Sequence, residues 1–165
     1  MEILDIYDEN ANKTGKTIER SNIDKLKDNE HIAVAIIYIE NSNNEFLIQK
    51  TSKEKGGLYS STGGHILHNE EPIDTIKREV KEELGISIDN ENIISLGHIL
   101  IDFPIRYIFY LKKDIDLNYI KLQKEEVDSI SYMSIYDIKD KLSKGLMHQG
   151  HYKVLEEVIK YISNN

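Results

Sequence analysis

The chain alternates short apolar runs with polar turns, and the β-branched runs predict strands. The clearest run, HIAVAIIYIE at 31–40, is typical of a central strand, and EFLIQK at 45–50 follows it after an Asn-rich turn. The Asn-, Asp- and Gly-rich stretch at 8–15 predicts a turn near the N-terminus. In chain order, the predicted strands are residues 3–7, 16–20, 31–40, 45–50, 93–100, 105–111 and 130–133.

Helical spacing is found in the later segments. Within residues 70–84, apolar side chains recur every three or four positions and form one stripe, at Ile73, Ile76, Val80 and Leu84. The other predicted helices are residues 134–144 and 149–162, and a short segment, 22–27, that Ser21 caps. Residues 51–63 are predicted as a loop. Because strands and helices mix without strict alternation, we expect the α/β (α+β) class, a mixed sheet with helices packed on both faces.

Composition and charge narrow the function classes. A length of 165 residues suits a single domain over 1–165, and the net charge of −8 argues against a nucleic-acid polymer or an anionic membrane surface as partner. The absence of cysteine excludes disulfides, thiolate metal sites and a cysteine nucleophile. Since neither a secretory signal nor an apolar run of membrane-spanning length is present, we expect a cytoplasmic enzyme or binding protein.

The segment 64–86, GHILHNEEPIDTIKREVKEELGI, holds the candidate chemistry. Asn69 is predicted to cap a helix whose first turn carries Glu70 and Glu71, where acidic residues favour the helix dipole. Gly85 is predicted to end that helix. The local pattern therefore predicts one helix with a defined start and end inside this segment.

Three glutamates share one side of this predicted helix. Glu79, Glu82 and Glu83 stand at i, i+3 and i+4, so they cluster beside the apolar stripe. Carboxylates this close repel each other by roughly a few tenths of a kcal/mol per pair, and a metal ion would reverse that effect. Hard oxygen ligands of this kind suit Mg²⁺ or Mn²⁺. Taken alone, the three glutamates favour a solvated acidic helix face, because that is what a run of charged residues usually indicates.

The full pattern of the segment resembles the signature of the Nudix family at every defined position. Those positions are Gly64, Glu70, Arg78, Glu79, Val80, Glu82, Glu83, Gly85 and Ile86. The resemblance covers roughly 30–165, with the signature box at 64–86, and leaves 1–28 as an N-terminal extension. The extension's pattern DIYDENANKTG…R resembles the front of the Nudix branch close to isopentenyl diphosphate isomerases.

The resemblance implies a Nudix α/β/α sandwich and a set of metal ligands. Family members bind one to three divalent ions on the helix of the box, here Mg²⁺ or Mn²⁺. By resemblance, Glu82 and Glu83 are ligands, Glu79 is a ligand or the base that orients the attacking water, and the Gly64 carbonyl completes the site. The implied chemistry is metal-assisted transfer of a phosphoryl or nucleotidyl group to water.

Two further residues of the box are implied to be structural. Arg78 is expected to hold a carboxylate through its planar guanidinium, with Glu82 and Glu70 both candidates as its partner. Outside the box, Glu126 is the first choice for an additional catalytic carboxylate and Glu125 the second.

The remaining candidates lie in the loop before the box and among the histidines. Lys53 and Lys55, with Lys50 nearby, are candidates for binding a substrate phosphate. His65 is a candidate substrate-binding residue, and with His31 it matches positions where the isomerases place metal-binding histidines. Of the remaining histidines, His148 and His151 are predicted to lie on the surface.

Three functions follow from the resemblance. The favoured one is a hydrolase that cleaves the diphosphate bond of a nucleoside diphosphate derivative or similar small metabolite. An isopentenyl diphosphate isomerase is the alternative, but its catalytic cysteine aligns with Gly63 and the chain has no cysteine. A non-catalytic ligand sensor is the third, and such proteins usually lose the box glutamates that this chain keeps. A homodimer, common in the family, is compatible with the sequence.

Overall fold

The computed structural model describes all 165 residues, which form nine strands, three α-helices and three short 3-10 helices. The strands are β1 (Ile3–Tyr7), β2 (Lys13–Glu19), β3 (Ala33–Glu40), β4 (Phe46–Thr51), β5 (Tyr59–Ser60), β6 (Thr62–His65), β7 (Ile94–Leu100), β8 (Ile105–Lys112) and β9 (Val127–Met133). The α-helices are α1 (Pro72–Leu84), α2 (Ile135–Ser143) and α3 (Gln149–Ser163). The 3-10 helices are Arg20–Lys25, Lys53–Lys55 and Leu117–Tyr119. None of the helices combines the length and the apolar character needed to cross a membrane.

The seven predicted strands are all present, with their ends shifted by a few residues. Two predictions in the first half of the chain are wrong. The short helix predicted at 22–27 is a 3-10 helix that begins at Arg20, so Ser21 lies inside it and does not cap it. The predicted loop 51–63 contains β5 and the first half of β6. Both strands are short and polar, so they lack the apolar run that identifies a strand from sequence. Pairing with longer strands supplies their stability instead.

The start of α1 also differs from the prediction. Asn69 has φ of +67°, so it lies in a left-handed turn before the helix and does not cap it. Glu71 is the N-cap residue and Pro72 occupies the first helical position, which its fixed φ favours. At the other end, Gly85 adopts φ of +68° and terminates the helix as predicted.

The main sheet is mixed, as predicted. Five strands run in the order β5-β4-β3-β8-β7, with β6 also paired to β3 and β9 to β4. The β3–β8 pair is parallel over its whole length, and the other pairs are antiparallel.

Alternate residues of β3 face two separate cores. Ala33, Ala35, Ile37 and Ile39 pack with the apolar stripe of α1. Ile36 and Tyr38 pack on the opposite face, with α2 and α3. Helices therefore cover both faces of the sheet, which confirms the predicted layer arrangement.

A gap in this sheet positions the candidate site. Strands β3 and β4 pair only at Glu40 and Phe46 and then separate. Beyond that point β6 takes over the pairing with β3, from Val34 to Ile37. The side chains along the separated edges include Gln49, which therefore lines a cleft and not a continuous sheet.

The N-terminal hairpin formed by β1 and β2 packs against the chain around the box. Leu4 bridges to Leu67, and Tyr7 bridges to His31 through two backbone hydrogen bonds. The side chains of Leu4 and Tyr7 are buried. This contact brings both ends of the hairpin to the rim of the cleft, where Glu2 and Arg20 form an ion pair of 2.7 Å.

Candidate active site

Arg78 and Glu70 fix the loop that leads into α1. Arg78 donates to both carboxylate oxygens of Glu70, from Nε at 2.7 Å and from Nη2 at 3.0 Å. Glu70 also accepts hydrogen bonds from the Leu67 amide and the Thr75 hydroxyl. Between the two expected partners of Arg78, the bidentate contact is therefore made with Glu70, while Glu82 accepts one longer bond of 3.3 Å.

The three box glutamates occupy different environments along α1. Glu83 is buried and accepts a hydrogen bond of 2.8 Å from Gln49, which in turn accepts one from Thr62. Glu79 is largely buried and accepts from Arg78 at 2.8 Å. The side chain of Glu82 is half exposed. The three glutamates share one helix face, as expected, but their exposure to solvent decreases from Glu82 to Glu79 to Glu83.

Burial raises the pKa of Glu83 well above its ordinary value, and a hydrogen bond with Glu79 raises it further. Burial also raises the pKa of Glu79, against the lowering effects of its hydrogen bonds with Glu83 and Arg78. These shifts favour the protonated form of Glu83 in the metal-free protein.

The residues present fit a divalent ion in their chemistry. A Cβ at Gly64 would lie 2.3 Å from Cδ of Glu79, so only glycine lets the strand backbone approach this carboxyl. A backbone carbonyl beside several carboxylates is the donor set that Mg²⁺ and Mn²⁺ prefer. No three metal-binding side chains converge on one point in this conformation. Because Arg78 holds Glu79 and Glu82, closing a complete ligand set requires these side chains to turn.

Glu126 faces the same cleft from the segment before β9. Its carboxylate forms an ion pair of 3.5 Å with Lys55 and adds to the rise in the pKa of Glu83. The neighbouring Glu125 is exposed and does not line the cleft. Of the two candidate lysines, the structure brings Lys55 to the cleft carboxylate but leaves Lys53 exposed and away from it.

His65 lies in the wall of the cleft and is neutral at neutral pH. Burial lowers its pKa to about 4, with the nearby Arg20 lowering it further. His31 has different surroundings, since its Nδ1 lies 2.9 Å from the Phe103 carbonyl and its Nε2 is buried without a partner. No second metal site is formed around either histidine.

The prediction that His148 and His151 lie on the surface is wrong. His151 Nδ1 is 2.9 Å from the Ser61 hydroxyl, and the two imidazoles are 4.7 Å apart between centroids. Burial lowers the pKa of both rings. The start of α3 folds back onto the sheet because the His148 amide donates to the Tyr59 carbonyl, a long-range contact that leaves no local sequence signal.

Together these groups form one polar cleft of about 300 Å³, and none of its lining side chains is apolar. Several of them could not be predicted from the sequence because they come from distant parts of the chain. The lining residues are Glu2, Arg20, Gln49, Thr51, Ser60, Ser61, Gly63, Gly64, His65, Glu79, Glu82, Glu83, Gln123, Glu126, His148 and His151.

Comparison with known proteins gives consistent matches. The model of the NUDIX domain matches residues 29–158. An uncharacterized Nudix hydrolase of Listeria innocua is 33% identical over 156 residues, covering 92% of this chain and 88% of that protein. An 8-oxo-dGTP diphosphatase of Proteus vulgaris is 35% identical over 80 residues, 47% of this chain and 68% of that protein. The crystal structure of DR0079 from Deinococcus radiodurans shares the fold, with a TM-score of 0.77 and 17% identity over 94% of this chain and 98% of that one.

The buried carboxyl pair predicts a specific pH dependence of stability for Glu83→Gln. Unfolded chains release the Glu83 proton near the ordinary pKa of 4.5, whereas the metal-free folded protein keeps it. The wild type therefore loses stability as pH rises above that value, by up to about 1.4 kcal/mol per pH unit for one proton. Glutamine cannot ionise, so the variant should gain Tm relative to wild type from pH 5 to pH 8, measured by thermal unfolding in EDTA.

Glu82→Gln is the matched control for this experiment. Because its side chain is half exposed, its Tm should follow the wild-type pH dependence. If Glu83→Gln also ran parallel to wild type across this range, Glu83 would not retain a proton in the folded state.

Proposed function

This chain belongs to the Nudix hydrolase family, whose members act on pyrophosphate bonds, and from that premise we propose that it is a Mg²⁺- or Mn²⁺-dependent hydrolase of a nucleoside diphosphate derivative or related small metabolite. The observation that carries the proposal is the buried Glu83 carboxyl in a wholly polar cleft, next to Glu79 and opposite Glu126. A buried carboxylate is energetically costly unless a cation or hydrogen-bond donors lie beside it, and such groups cluster at functional sites.

Nudix hydrolases in general require divalent metal ions, and the carboxylates here would hold one. Glu79, Glu82 and Glu83, with the Gly64 carbonyl, are the proposed ligands. The ion supplies positive charge that stabilises the phosphate oxygens and makes water at the site more acidic. Release of Glu79 and Glu82 from Arg78 would leave Arg78 on Glu70, which keeps the helix start in place.

The other cleft residues would bind and orient the substrate. Lys55 already lies beside Glu126, so a substrate phosphate there would find a cation within reach. His65 is neutral and can donate one hydrogen bond without adding charge. Glu126 faces the box glutamates and is the proposed base that accepts the proton of the attacking water.

A wholly polar lining also separates this function from isomerisation of isopentenyl diphosphate. An isoprenoid chain needs an apolar wall, and this cleft offers none. At the position of the isomerase cysteine, a Cβ on Gly63 would lie 2.5 Å from the Ala35 carbonyl oxygen. No side chain of any kind fits there without a backbone shift.

The hydrolase proposal predicts a large difference between two neighbouring glutamates. Purified protein with Mg²⁺ or Mn²⁺ should release phosphate or a nucleoside monophosphate from at least one member of a panel of nucleoside triphosphates, dinucleoside polyphosphates and nucleoside diphosphate sugars. On that substrate, Glu126→Gln and Glu83→Gln should each lower kcat by about 10²-fold or more. Glu125→Gln, which alters an exposed residue next in the chain, should retain wild-type kcat.

An inactive panel, or a Glu83→Gln variant with full activity on a hydrolysed substrate, would contradict the proposed function. Chelation by EDTA should abolish turnover, and added Mg²⁺ should restore it.

A separate assay tests for isopentenyl diphosphate isomerase activity. Incubation with isopentenyl diphosphate and Mg²⁺ should yield no dimethylallyl diphosphate, because no acid stands at Gly63 and the hydroxyls of Ser60, Ser61 and Thr62 are far weaker acids than a thiol. Proton transfer by a positioned group is worth about 10²–10⁴-fold, so its loss removes detectable activity. Turnover at an enzymatic rate, abolished by Glu126→Gln, would restore the isomerase function.

A further inference from the structure

A buried arginine without an acidic partner lines a cavity that adjoins the cleft at His65, His148 and His151. Arg106 on β8 is 7% exposed and forms no ion pair within 4.0 Å. Its single hydrogen bond runs from Nη1 to the Ile101 carbonyl at 2.8 Å. Burial lowers its pKa, and Asp102 opposes that effect without contacting the guanidinium. Buried cations are costly unless they are paired, so the remaining donors of Arg106 lack an expected partner.

The sheet register connects Arg106 to the proposed active site. Val34 on β3 pairs with Arg106 on one side and with His65 on the other, so the three side chains lie in one row across the face that α3 covers. Neighbouring strands are about 4.8 Å apart, which places the strands of Arg106 and His65 about 10 Å apart. A second cavity of about 300 Å³ follows this row and shares His65, His148 and His151 with the first.

The start of α3 closes this second compartment and adds positive potential. Gly150, the second residue of α3, is buried, and a Cβ there would lie 2.3 Å from Nη2 of Arg106. The guanidinium therefore rests against the first turn of the helix, whose free amides form the positive end of its dipole. His148 Nδ1 caps the amide of His151 at 3.3 Å. A guanidinium and a helix N-terminus repel each other, and an anion in contact with both would relieve that repulsion.

We propose that this compartment, formed by Arg106, His148, His151 and the first turn of α3, binds a phosphomonoester group of the substrate, separate from the diphosphate that is cleaved. The proposal rests on the proposed hydrolase function for its location, since a metal ion held by the box glutamates would bind the scissile diphosphate on the other side of the cleft. The guanidinium donors that Ile101 does not accept suit the oxygens of a phosphate, and the neutral imidazoles add hydrogen bonds. The preferred substrate therefore carries at least one phosphate beyond the diphosphate.

Binding of inorganic phosphate to metal-free protein tests the compartment independently of catalysis. In EDTA, phosphate should bind saturably and shift the NMR signals of the Gly150 amide and the Arg106 side chain. Arg106→Gln should weaken this binding at least tenfold. Gly150→Ala should weaken it as well, because the methyl group displaces the guanidinium while keeping its charge. Lys160→Gln, which removes one exposed charge from the same helix, should bind as wild type.

Kinetics on matched substrates then tests specificity. Pairs that differ by one phosphomonoester are coenzyme A with dephospho-coenzyme A, and NADPH with NADH. The wild type should show the higher kcat/KM on the phosphorylated member, through KM, and Arg106→Gln should remove that preference while its kcat on the other member stays within about twofold. Folding of each variant is checked by its Tm and its NMR spectrum, and Gly150→Ala replaces Arg106→Gln if the latter does not fold.

The outcomes separate the two proposals. Wild-type phosphate affinity in both folded variants, or phosphate shifts confined to Lys55 and Arg20, would overturn the second compartment whatever the activity. Absence of hydrolysis on every diphosphate would overturn the hydrolase proposal, while phosphate binding lost in Arg106→Gln would still support the compartment as an anion site. Hydrolysis with no preference within either pair would overturn the role in specificity.

Discussion

Burial of the Glu83 carboxyl beside Glu79 is the constraint on which the rest of the cleft depends. Glu83 lies in the last turn of α1, where the negative end of the helix dipole adds to the cost of ionising it. In the absence of a cation, burial favours the protonated form of Glu83, which avoids that cost. Gln49 and Thr62 then fix the orientation of Glu83, and both come from strands that border the gap in the sheet.

The gap between β3 and β4 explains why side chains from α1 and from the start of α3, on opposite faces of the sheet, line one cleft. If β3 and β4 paired along their full length, the glutamates on α1 would be separated from α3 by a continuous layer. Instead the strands diverge after Glu40, and short β5 and β6 line the opening with small and polar residues. The cleft and the cavity that adjoins it therefore connect the acidic groups with two imidazoles and Arg106. This charge gradient suits a ligand with several phosphates, one of them neutralised through a metal ion and another bound by cationic groups.

Local chemistry was predictable from the sequence, and contacts between distant segments were not. The spacing of Glu79, Glu82 and Glu83, the helix that carries them and its end at Gly85 all follow from residues within one segment. The strand pattern likewise predicted the mixed sheet and its two helical layers. By contrast, His148 and His151 stand in a polar stretch at a helix start, which is typical of surface residues, and contacts with Tyr59 and Ser61 bring them into the cleft wall. The cap at Asn69 was mispredicted because Glu70 is held by Arg78 and Thr75, so the chain turns once more before the helix begins.

Binding of a divalent ion by Glu83 requires loss of the proton that burial favours on its carboxyl. Calorimetric titration of the apo-protein with Mn²⁺ at pH 7, in two buffers of different ionisation enthalpy, measures the number of protons released for each ion bound. Ligand carboxyls must be deprotonated, so the account predicts release of about one proton per ion in the wild type. It predicts none in Glu83→Gln, together with weaker binding. Binding of Mn²⁺ without proton release, or equal affinity in wild type and Glu83→Gln, would contradict it.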